Sequence, residues 1–196
     1  MHVTDEALML SVRGGDVGKL GLLFERHHTP LFDFFCRMIG NRTAAEDLTQ
    51  DVFFRILKYR GTYRDESHFR TWMYQIARNV RADYFKKHRF EAFLPDDAAD
   101  VPAQGSFPHQ LERDQENELL KHALMKLPEE KRELLILARY REMKYEEIAQ
   151  VLDVETGTVK VRVHRALKEL REIFLRVSGE KASCNVKKSE ASLRIV

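Results

Sequence analysis

Apolar residues recur every three or four positions along most of this chain, a spacing that places them on one side of an α-helix. Residues 156–174, "TGTVKVRVHRALKELREIF", have this spacing most clearly. Their apolar face consists of Val159, Val163, Ala166, Leu167, Leu170, Ile173 and Phe174. A half-buried strand would instead alternate apolar and polar residues, and no stretch does so convincingly. The sequence therefore predicts an all-α protein.

Charge is distributed unevenly along the chain. Residues 1–88 carry 14 Lys and Arg against 11 Asp and Glu, whereas residues 89–116 carry 2 against 7. Residues 117–196 carry 17 against 13. The overall net charge of +2 therefore conceals two basic blocks on either side of an acidic connector.

The acidic connector also interrupts the helical period, because residues 91–110 contain three prolines. We expect an acidic, flexible linker over residues 89–110. It would join two small helical domains, at residues 1–88 and 111–177, of which the second contains a helix-turn-helix. A flexible polar tail is expected over residues 178–196.

Composition excludes several classes of protein. A hydrophobic content of 43% with 33% charged residues fits a globular chain and not a disordered one. No apolar run approaches the roughly 18 residues of a membrane span, and the N-terminus lacks the pattern of a signal peptide. The two cysteines, Cys36 and Cys184, lie too far apart in sequence to suggest a zinc ribbon or a disulfide framework. We therefore expect a cytoplasmic protein without membrane insertion.

Local signals indicate where the helices of the first domain begin and end. A long helix is expected to kink or restart at Pro30 and to end at Gly40. Thr43 and Glu46 have the spacing of a capping box, so the next helix should begin there. Ser67 is the expected cap of a further long helix.

The segment "KYEEIAQVLDVETGTVKVRVHRALKEL" has the features of a helix-turn-helix. Ile148 suits the core, and the small Ala149 lies where a second helix must cross closely. Asp153 tolerates the left-handed backbone of a tight turn, and Thr156 can cap the second helix. Residues 156–176 carry 6 Lys and Arg against 2 Glu, away from the apolar face. This combination favours a DNA-reading helix over a merely solvated charged face.

One residue on the cationic face of that helix is apolar. Val161 lies near the middle of the polar side, among Lys160, His164 and Arg165. Valine offers no hydrogen bond, and the apolar feature that the DNA major groove presents is the thymine methyl group. Val161 could therefore contact a thymine methyl; a tolerated exposed valine is the alternative.

The helix "SHFRTWMYQIARNVRADYFKKHR" carries aromatic and basic residues together. The residues expected on its outer face are Arg70, Tyr74, Arg78, Arg81, Phe85 and Lys86. Exposed rings between arginines suit single-stranded nucleic acid, because bases stack on the rings while cations neutralise phosphates. For this helix alone, packing of Tyr74 and Phe85 against a neighbouring helix is an equally open interpretation.

The helix "AAEDLTQDVFFRILKY" combines an aromatic residue with carboxylates. Asp47, Gln50, Asp51 and Phe54 share one of its faces. An exposed phenylalanine bordered by carboxylates suits a protein partner better than DNA, whose phosphates it would repel. A packed Phe54 remains the alternative.

Three segments, in this order, resemble an extracytoplasmic-function (ECF) sigma factor of bacterial RNA polymerase. They are "AEDLTQDVFFRIL", "FRTWMYQIARNVRADYFKKHR" and "YEEIAQVLDVETGTVKVRVHRALKEL", and the resemblance covers residues 5–175. It implies an alternative sigma factor that binds the polymerase core and directs promoter-specific transcription initiation. It also implies control by an anti-sigma factor.

The resemblance further implies roles for individual residues. Docking of a region-two domain on the β′ clamp helices would use Asp47, Gln50, Asp51 and Phe54. Opening and reading of the minus-ten element would use Tyr63, Arg64, Ser67, Trp72, Tyr74, Arg78, Asn79 and Arg81. A region-four domain would lie on the β flap. Its reading of the minus-thirty-five element would use Thr158, Lys160, Val161, Arg162, His164 and Arg165. Many members of the family carry serine or another polar residue at the position of Val161.

Two other classes fit the sequence less well. A stand-alone helix-turn-helix regulator of the response-regulator type would carry an α/β receiver domain, and the first 90 residues show no strand pattern. An enzyme would need a pairing of nucleophile and base or a phosphate-binding glycine loop. The adjacent His27 and His28 point to different helix faces and make poor joint ligands. We therefore expect no catalytic residues, no cofactor and no metal site.

Overall fold

The computed structural model describes the backbone of residues 3–88 and 108–192, and the side chains of residues 3–88 and 117–179. The described residues form eight α-helices and no β-strand, which confirms the all-α prediction. The helices are α1 (Asp5–Arg13), α2 (Lys19–Ile39), α3 (Arg42–Lys58), α4 (Phe69–His88), α5 (Pro108–Lys126), α6 (Glu129–Leu135), α7 (Tyr145–Leu152) and α8 (Thr156–Ser192). Most of the expected linker, residues 89–107, lies outside the described residues.

Helix α2 is more continuous than its sequence suggests. It runs through Pro30 without restarting, and it ends at Gly40, whose φ of 78° is left-handed as expected for a C-cap. A proline removes only one N–H from the helix. Burial of Leu23 before it and of Leu31 and Phe34 after it stabilises the helix on both sides of the proline.

Two helix starts differ from the prediction. Helix α3 begins at Arg42, and the side chain of Asn41 accepts the hydrogen bond of the Ala44 N–H at 2.9 Å, so the predicted capping box at Thr43 is wrong. Asparagine caps as well as threonine does, and Asn41 directly follows the residue that ends α2. Helix α4 begins at Phe69, not directly after Ser67.

The second half of the chain contains the predicted helix-turn-helix, formed by α7 and α8. Asp153 adopts the left-handed conformation expected of it, with φ 54° and ψ 53°. The small Ala149 is buried, and α7 packs against α8. A π-helical turn, Ile136–Tyr140, continues α6 and brings the chain toward α7.

Helix α8 extends further than predicted. Its backbone is helical as far as Ser192, whereas a flexible tail was expected from residue 178 onward. Gly179 lies inside this helix and does not end it. A single glycine costs a helix only about 1 kcal/mol, which is too little to impose an end by itself.

The two groups of helices, α1–α4 and α5–α8, pack against each other. Helix α4 contacts α7, and α2 contacts α5, α6 and the π-helical turn. The guanidinium of Arg132 donates hydrogen bonds to the carbonyl of Met38, at 2.7 Å, and to carbonyls of its own group. Arg141 likewise donates to the carbonyl of Pro30 at 2.9 Å. The faces that meet in this way include part of the predicted DNA-binding surface.

Candidate nucleic-acid and protein interfaces

The cationic face of α8 is exposed to solvent. Val159, Val163 and Ala166, on the opposite face, are at most 2% exposed. Because these residues face the core, the orientation of α8 about its own axis is set and its cationic face points outward. Among the residues predicted to read the minus-thirty-five element, Thr158 is half-buried. The exposed ones are Lys160, Val161, Arg162, His164 and Arg165. No carboxylate in the described part of the chain pairs with the cations on this face. Such a helix can enter a DNA major groove without first breaking internal ion pairs.

Val161 is an apolar residue on this exposed face. Its side chain is 50% exposed, between flanking cations that also face solvent. The outward orientation predicted from the helical period is therefore confirmed. Its contact with a base stays a prediction.

The residues predicted to act at the minus-ten element do not form one open surface. Arg64 and Asn79 are exposed, and Ser67, Trp72 and Arg78 are half-buried. Tyr63, Tyr74 and Arg81 are buried, each at 7% exposure or less. The exposed members, and the accessible parts of the half-buried ones, could meet DNA in this conformation, whereas the buried members could not.

Tyr74 does not lie on an outer face, so that prediction is wrong. Its ring packs edge-on against Phe34 at 5.3 Å between centroids, and it is 1% exposed. Burial raises the pKa of its hydroxyl to about 12. The helical wheel of α4 has one strongly apolar face, but α4 is covered on a second side by the α5–α8 group. The alternative interpretation, in which Tyr74 and Phe85 pack against a neighbouring helix, is therefore correct for Tyr74. It is not correct for Phe85, whose side chain is 38% exposed.

Tyr63 holds the loop before α4 in place from inside. Its hydroxyl donates to the carbonyl of Ser67 at 2.6 Å, and its ring lies edge-on to Trp72 at 5.1 Å. Burial, with the nearby carboxylates of Glu6 and Asp5, raises the pKa of this hydroxyl to about 12. Tyr63 therefore shapes the loop that presents Arg64 and does not itself face solvent.

Arg78 and Arg81 bind a carboxylate that the sequence analysis did not single out. Glu133, on α6, is 2% exposed and lies 3.1 Å from Nε of Arg78 and 3.2 Å from Nη1 of Arg81. Glu129, one turn earlier, lies 3.1 Å from Nη2 of Arg81. The spacing of these two glutamates on α6 was visible in the sequence. Their partners were not, because those partners belong to the other half of the chain.

The acidic and aromatic face of α3 is open as predicted. Phe54 is 65% exposed, so the alternative of a packed Phe54 is wrong. Asp47 and Gln50 are exposed beside it. Asp51 pairs with Arg55 at 3.1 Å, and Arg55 also pairs with Asp83 on α4 at 2.7 Å. An exposed ring bordered by fixed carboxylates is suited to a basic or amphipathic protein surface.

The adjacent histidines have separate structural partners. His27 bonds to Asp5 at 2.6 Å, whereas His28 bonds to the carbonyl of Phe24 at 2.9 Å. Over the residues for which side chains are described, no group of three or more His, Cys, Asp or Glu could hold a metal ion. No helix found there is both long and apolar enough to cross a membrane.

Together, the fold and these surfaces define a two-part helical protein with a helix-turn-helix that exposes a cationic face and a separate exposed face that is acidic and aromatic. The family model "Sigma-70 region 2" matches residues 23–91, and "Sigma-70, region 4" matches residues 117–170. The chain is 31% identical over 157 residues to the ECF RNA polymerase sigma factor SigX of Bacillus subtilis, covering 77% of this chain and 81% of that protein. It is 30% identical over 156 residues to the RNA polymerase sigma factor CarQ of Myxococcus xanthus, covering 78% and 87%. The chain therefore belongs to the family of ECF RNA polymerase sigma factors.

Two further similarities extend this comparison. The ECF RNA polymerase sigma factor SigE of Mycolicibacterium smegmatis is 34% identical over 164 residues, which cover 82% of this chain and 63% of that protein. Among solved structures, the sigma factor RpoE of Bartonella quintana, in complex with the anti-sigma factor NepR, is 26% identical with a TM-score of 0.62. That match covers 78% of this chain and 94% of the solved one.

Proposed function

We propose that this protein is an alternative sigma factor that binds RNA polymerase core and directs promoter-specific transcription initiation in the cytoplasm. The observation that carries the proposal is the presence of two exposed faces of opposite chemistry in one chain. The cationic face of α8 lies within the region-four match, and the acidic face around Phe54 lies within the region-two match. A stand-alone helix-turn-helix regulator would not need the second face.

The α8 face is proposed to read the minus-thirty-five element as duplex DNA. Lys160, Arg162 and Arg165 supply attraction to phosphates, which any sequence satisfies. His164 and Thr158 can hydrogen-bond to base edges or phosphates, and Val161 supplies an apolar contact. Region four would at the same time lie on the polymerase β flap.

The loop before α4 and the outer surface of α4 are proposed to act at the minus-ten element. Arg64, Ser67, Trp72 and Asn79 are accessible or half-buried in this conformation. Arg78 and Arg81 would join them once their ion pairs to α6 are released. Tyr63 and Tyr74 are proposed to hold these groups in position from the core.

The face containing Asp47, Gln50, Asp51 and Phe54 is proposed to dock on the β′ clamp helices of the polymerase. Because the B. quintana relative binds an anti-sigma factor, we extend the proposal to control of this chain by such a factor. The function involves binding and not bond chemistry. Free energy from docking and from duplex contacts offsets the cost of unstacking promoter bases, which is a few kcal/mol per step.

Run-off transcription with purified polymerase core tests the proposal directly. Genomic fragments from the source organism should give discrete transcripts only when both core and this protein are present. Lys160→Glu with Arg165→Glu should remove those transcripts without lowering affinity for core. A protein that footprints on DNA alone, and gives no core-dependent transcript, would instead be a stand-alone regulator.

A further inference from the structure

Both neighbours of Arg64 are held by one guanidinium from another helix. Arg13, at the end of α1, donates from Nη1 to the carbonyl oxygen of Tyr63 at 2.8 Å, and the same nitrogen forms an ion pair with the carboxylate of Asp65. Arg64 lies between these two residues in sequence and is itself exposed. The backbone on either side of an exposed arginine is therefore anchored by a residue that is 50 positions away from Tyr63 in the chain.

Helix α1 also holds the other end of this loop, which comprises residues 63–68. The carboxylate of Glu6 accepts the hydrogen bond of the Phe69 N–H, at the start of α4, at 3.3 Å. An N–H in the first turn of a helix has no partner within that helix, so a carboxylate from α1 satisfies it and stabilises the start of α4. Glu6 and Arg13 are separated by about two turns of α1, and the helix thus spans the loop from end to end.

Helix α1 is a firm support for these contacts. Leu8, Met9 and Val12, on its inner face, are at most 2% exposed. In its first turn, the carboxylate of Asp5 accepts a hydrogen bond from Arg26 of α2 at 2.7 Å. These contacts do not involve the loop, so the loss of a loop contact should leave α1 in place.

The contact between Arg13 and Asp65 is suited to ordering the loop and not to stabilising the whole fold. The two side chains are 34% and 68% exposed, and an ion pair so open to water contributes little to global stability. Ordering a segment of backbone on binding, in contrast, lowers affinity unless the segment is ordered beforehand. Because Arg13 orders the backbone around Arg64 in the free protein, its effect should appear in binding by the loop.

We propose that Arg13 is a positioning residue for recognition of the minus-ten element. It fixes the backbone on both sides of Arg64, and so it holds that side chain ready for single-stranded promoter DNA without contacting the DNA itself. The part that concerns DNA rests on the proposed function. The anchoring of the loop can be measured in the free protein.

Hydrogen exchange of the free protein tests the anchoring. In Arg13→Gln, the hydrogen-bonded amides of Tyr63 and Ser67 should exchange about tenfold faster than in the wild type, while the melting temperature and the exchange of α1 stay unchanged. Arg42→Gln is the matched control, because it removes an equal charge from an exposed ion pair, with Glu46, in the same half of the chain. Loop exchange in this control should equal that of the wild type.

Binding of a single strand tests the consequence for DNA. Polymerase core carrying this protein is titrated, at fixed salt, into a fluorescein-labelled single strand of the minus-ten element found by run-off transcription. Arg13→Gln should weaken binding about tenfold, equivalent to about 1.4 kcal/mol, whereas Arg42→Gln should not.

Asp65→Asn separates positioning from direct electrostatics. It removes a carboxylate that repels phosphates, so electrostatics alone predicts tighter binding. Positioning predicts binding about threefold weaker, a smaller loss than in Arg13→Gln because the bond from Arg13 to the Tyr63 carbonyl remains. In Arg13→Gln the further change Asp65→Asn should weaken binding no more, because both substitutions remove the same contact.

Three results would overturn the proposal: unchanged loop exchange in Arg13→Gln, faster exchange with unchanged DNA affinity, or tighter binding by Asp65→Asn. If Arg13→Gln does not fold, Asp65→Asn supplies both measurements at an exposed residue. A wild type that supports transcription, with variants that bind DNA equally well, would overturn the role of Arg13 and leave the proposed function standing. A wild type that gives no core-dependent transcript would overturn the proposed function and the DNA role of Arg13 together, while faster loop exchange would still establish the anchoring.

Discussion

Removing a single methyl group from promoter DNA tests the contact proposed for Val161. Replacing thymine by uracil deletes the C5-methyl and keeps every hydrogen-bonding group of the base pair. Val161 is 50% exposed in the free protein, so its side chain has apolar surface left to bury. Burying one methyl contributes about 0.8 kcal/mol, so uracil at the contacted position should weaken binding about fourfold.

Fluorescence anisotropy at fixed salt would measure this effect on a duplex carrying the minus-thirty-five element found by run-off transcription. Each thymine of the element is replaced in turn. In Val161→Ala the difference between thymine and uracil should nearly vanish, because the surface that contacts the methyl is gone. Lys160→Ala is the matched control, since losing a phosphate contact should weaken both duplexes equally.

One result would refute this reasoning about Val161. If uracil at every thymine of the element leaves the wild-type affinity unchanged, then Val161 contacts no methyl and is a tolerated exposed valine. A fourfold loss that persists in Val161→Ala would assign the methyl contact to another residue of α8.

Three further predictions concern the rest of the molecule. Asp51→Lys with Phe54→Ala should weaken binding to polymerase core at least tenfold, by removing an exposed anchor, while Leu22→Ala, at another exposed apolar residue, should not. Tyr74→Ala should lower the free energy of unfolding by about 3–5 kcal/mol, because this ring is core and not a stacking platform. Burial raises the pKa of Asp5, but hydrogen bonds from Arg26 and His27 outweigh it and leave the pKa below 3.8. Asp5 therefore stabilises the fold above that pH and ceases to do so as the pH falls through its lowered pKa, so Asp5→Asn should flatten acid unfolding.

Each of these predictions has a contradicting outcome. Fluorescence titration that gives unchanged core affinity in a double variant of normal helicity would remove the α3 face from the interface. If urea unfolding shows that Tyr74→Ala lowers the free energy of unfolding by less than about 1 kcal/mol, the place of Tyr74 in the core would be contradicted. Identical melting temperatures of wild type and Asp5→Asn from pH 7 to pH 3 would show that the pairs of Asp5 with Arg26 and His27 contribute nothing to the stability of the fold.

The sequence by itself determined the features that depend on one helix at a time. The apolar period of α8 fixed which residues face the core, and so it placed Val161 and the cations outward. The left-handed turn at Asp153 followed from an equally local pattern, whereas the sequence left the exposure of Phe54 open. Each depends on the geometry of 3.6 residues per turn, which sequence spacing contains in full.

The tertiary structure alone decided what covers α4. A helical wheel can identify one apolar face, but it does not reveal that a second group of helices packs on the polar side. That packing buries Arg81 and pairs it with Glu133, 52 positions away. It also covers the side of α4 where Tyr74 was expected to be open. Contacts over such a distance in sequence depend on how both halves fold and meet, and no local spacing encodes that.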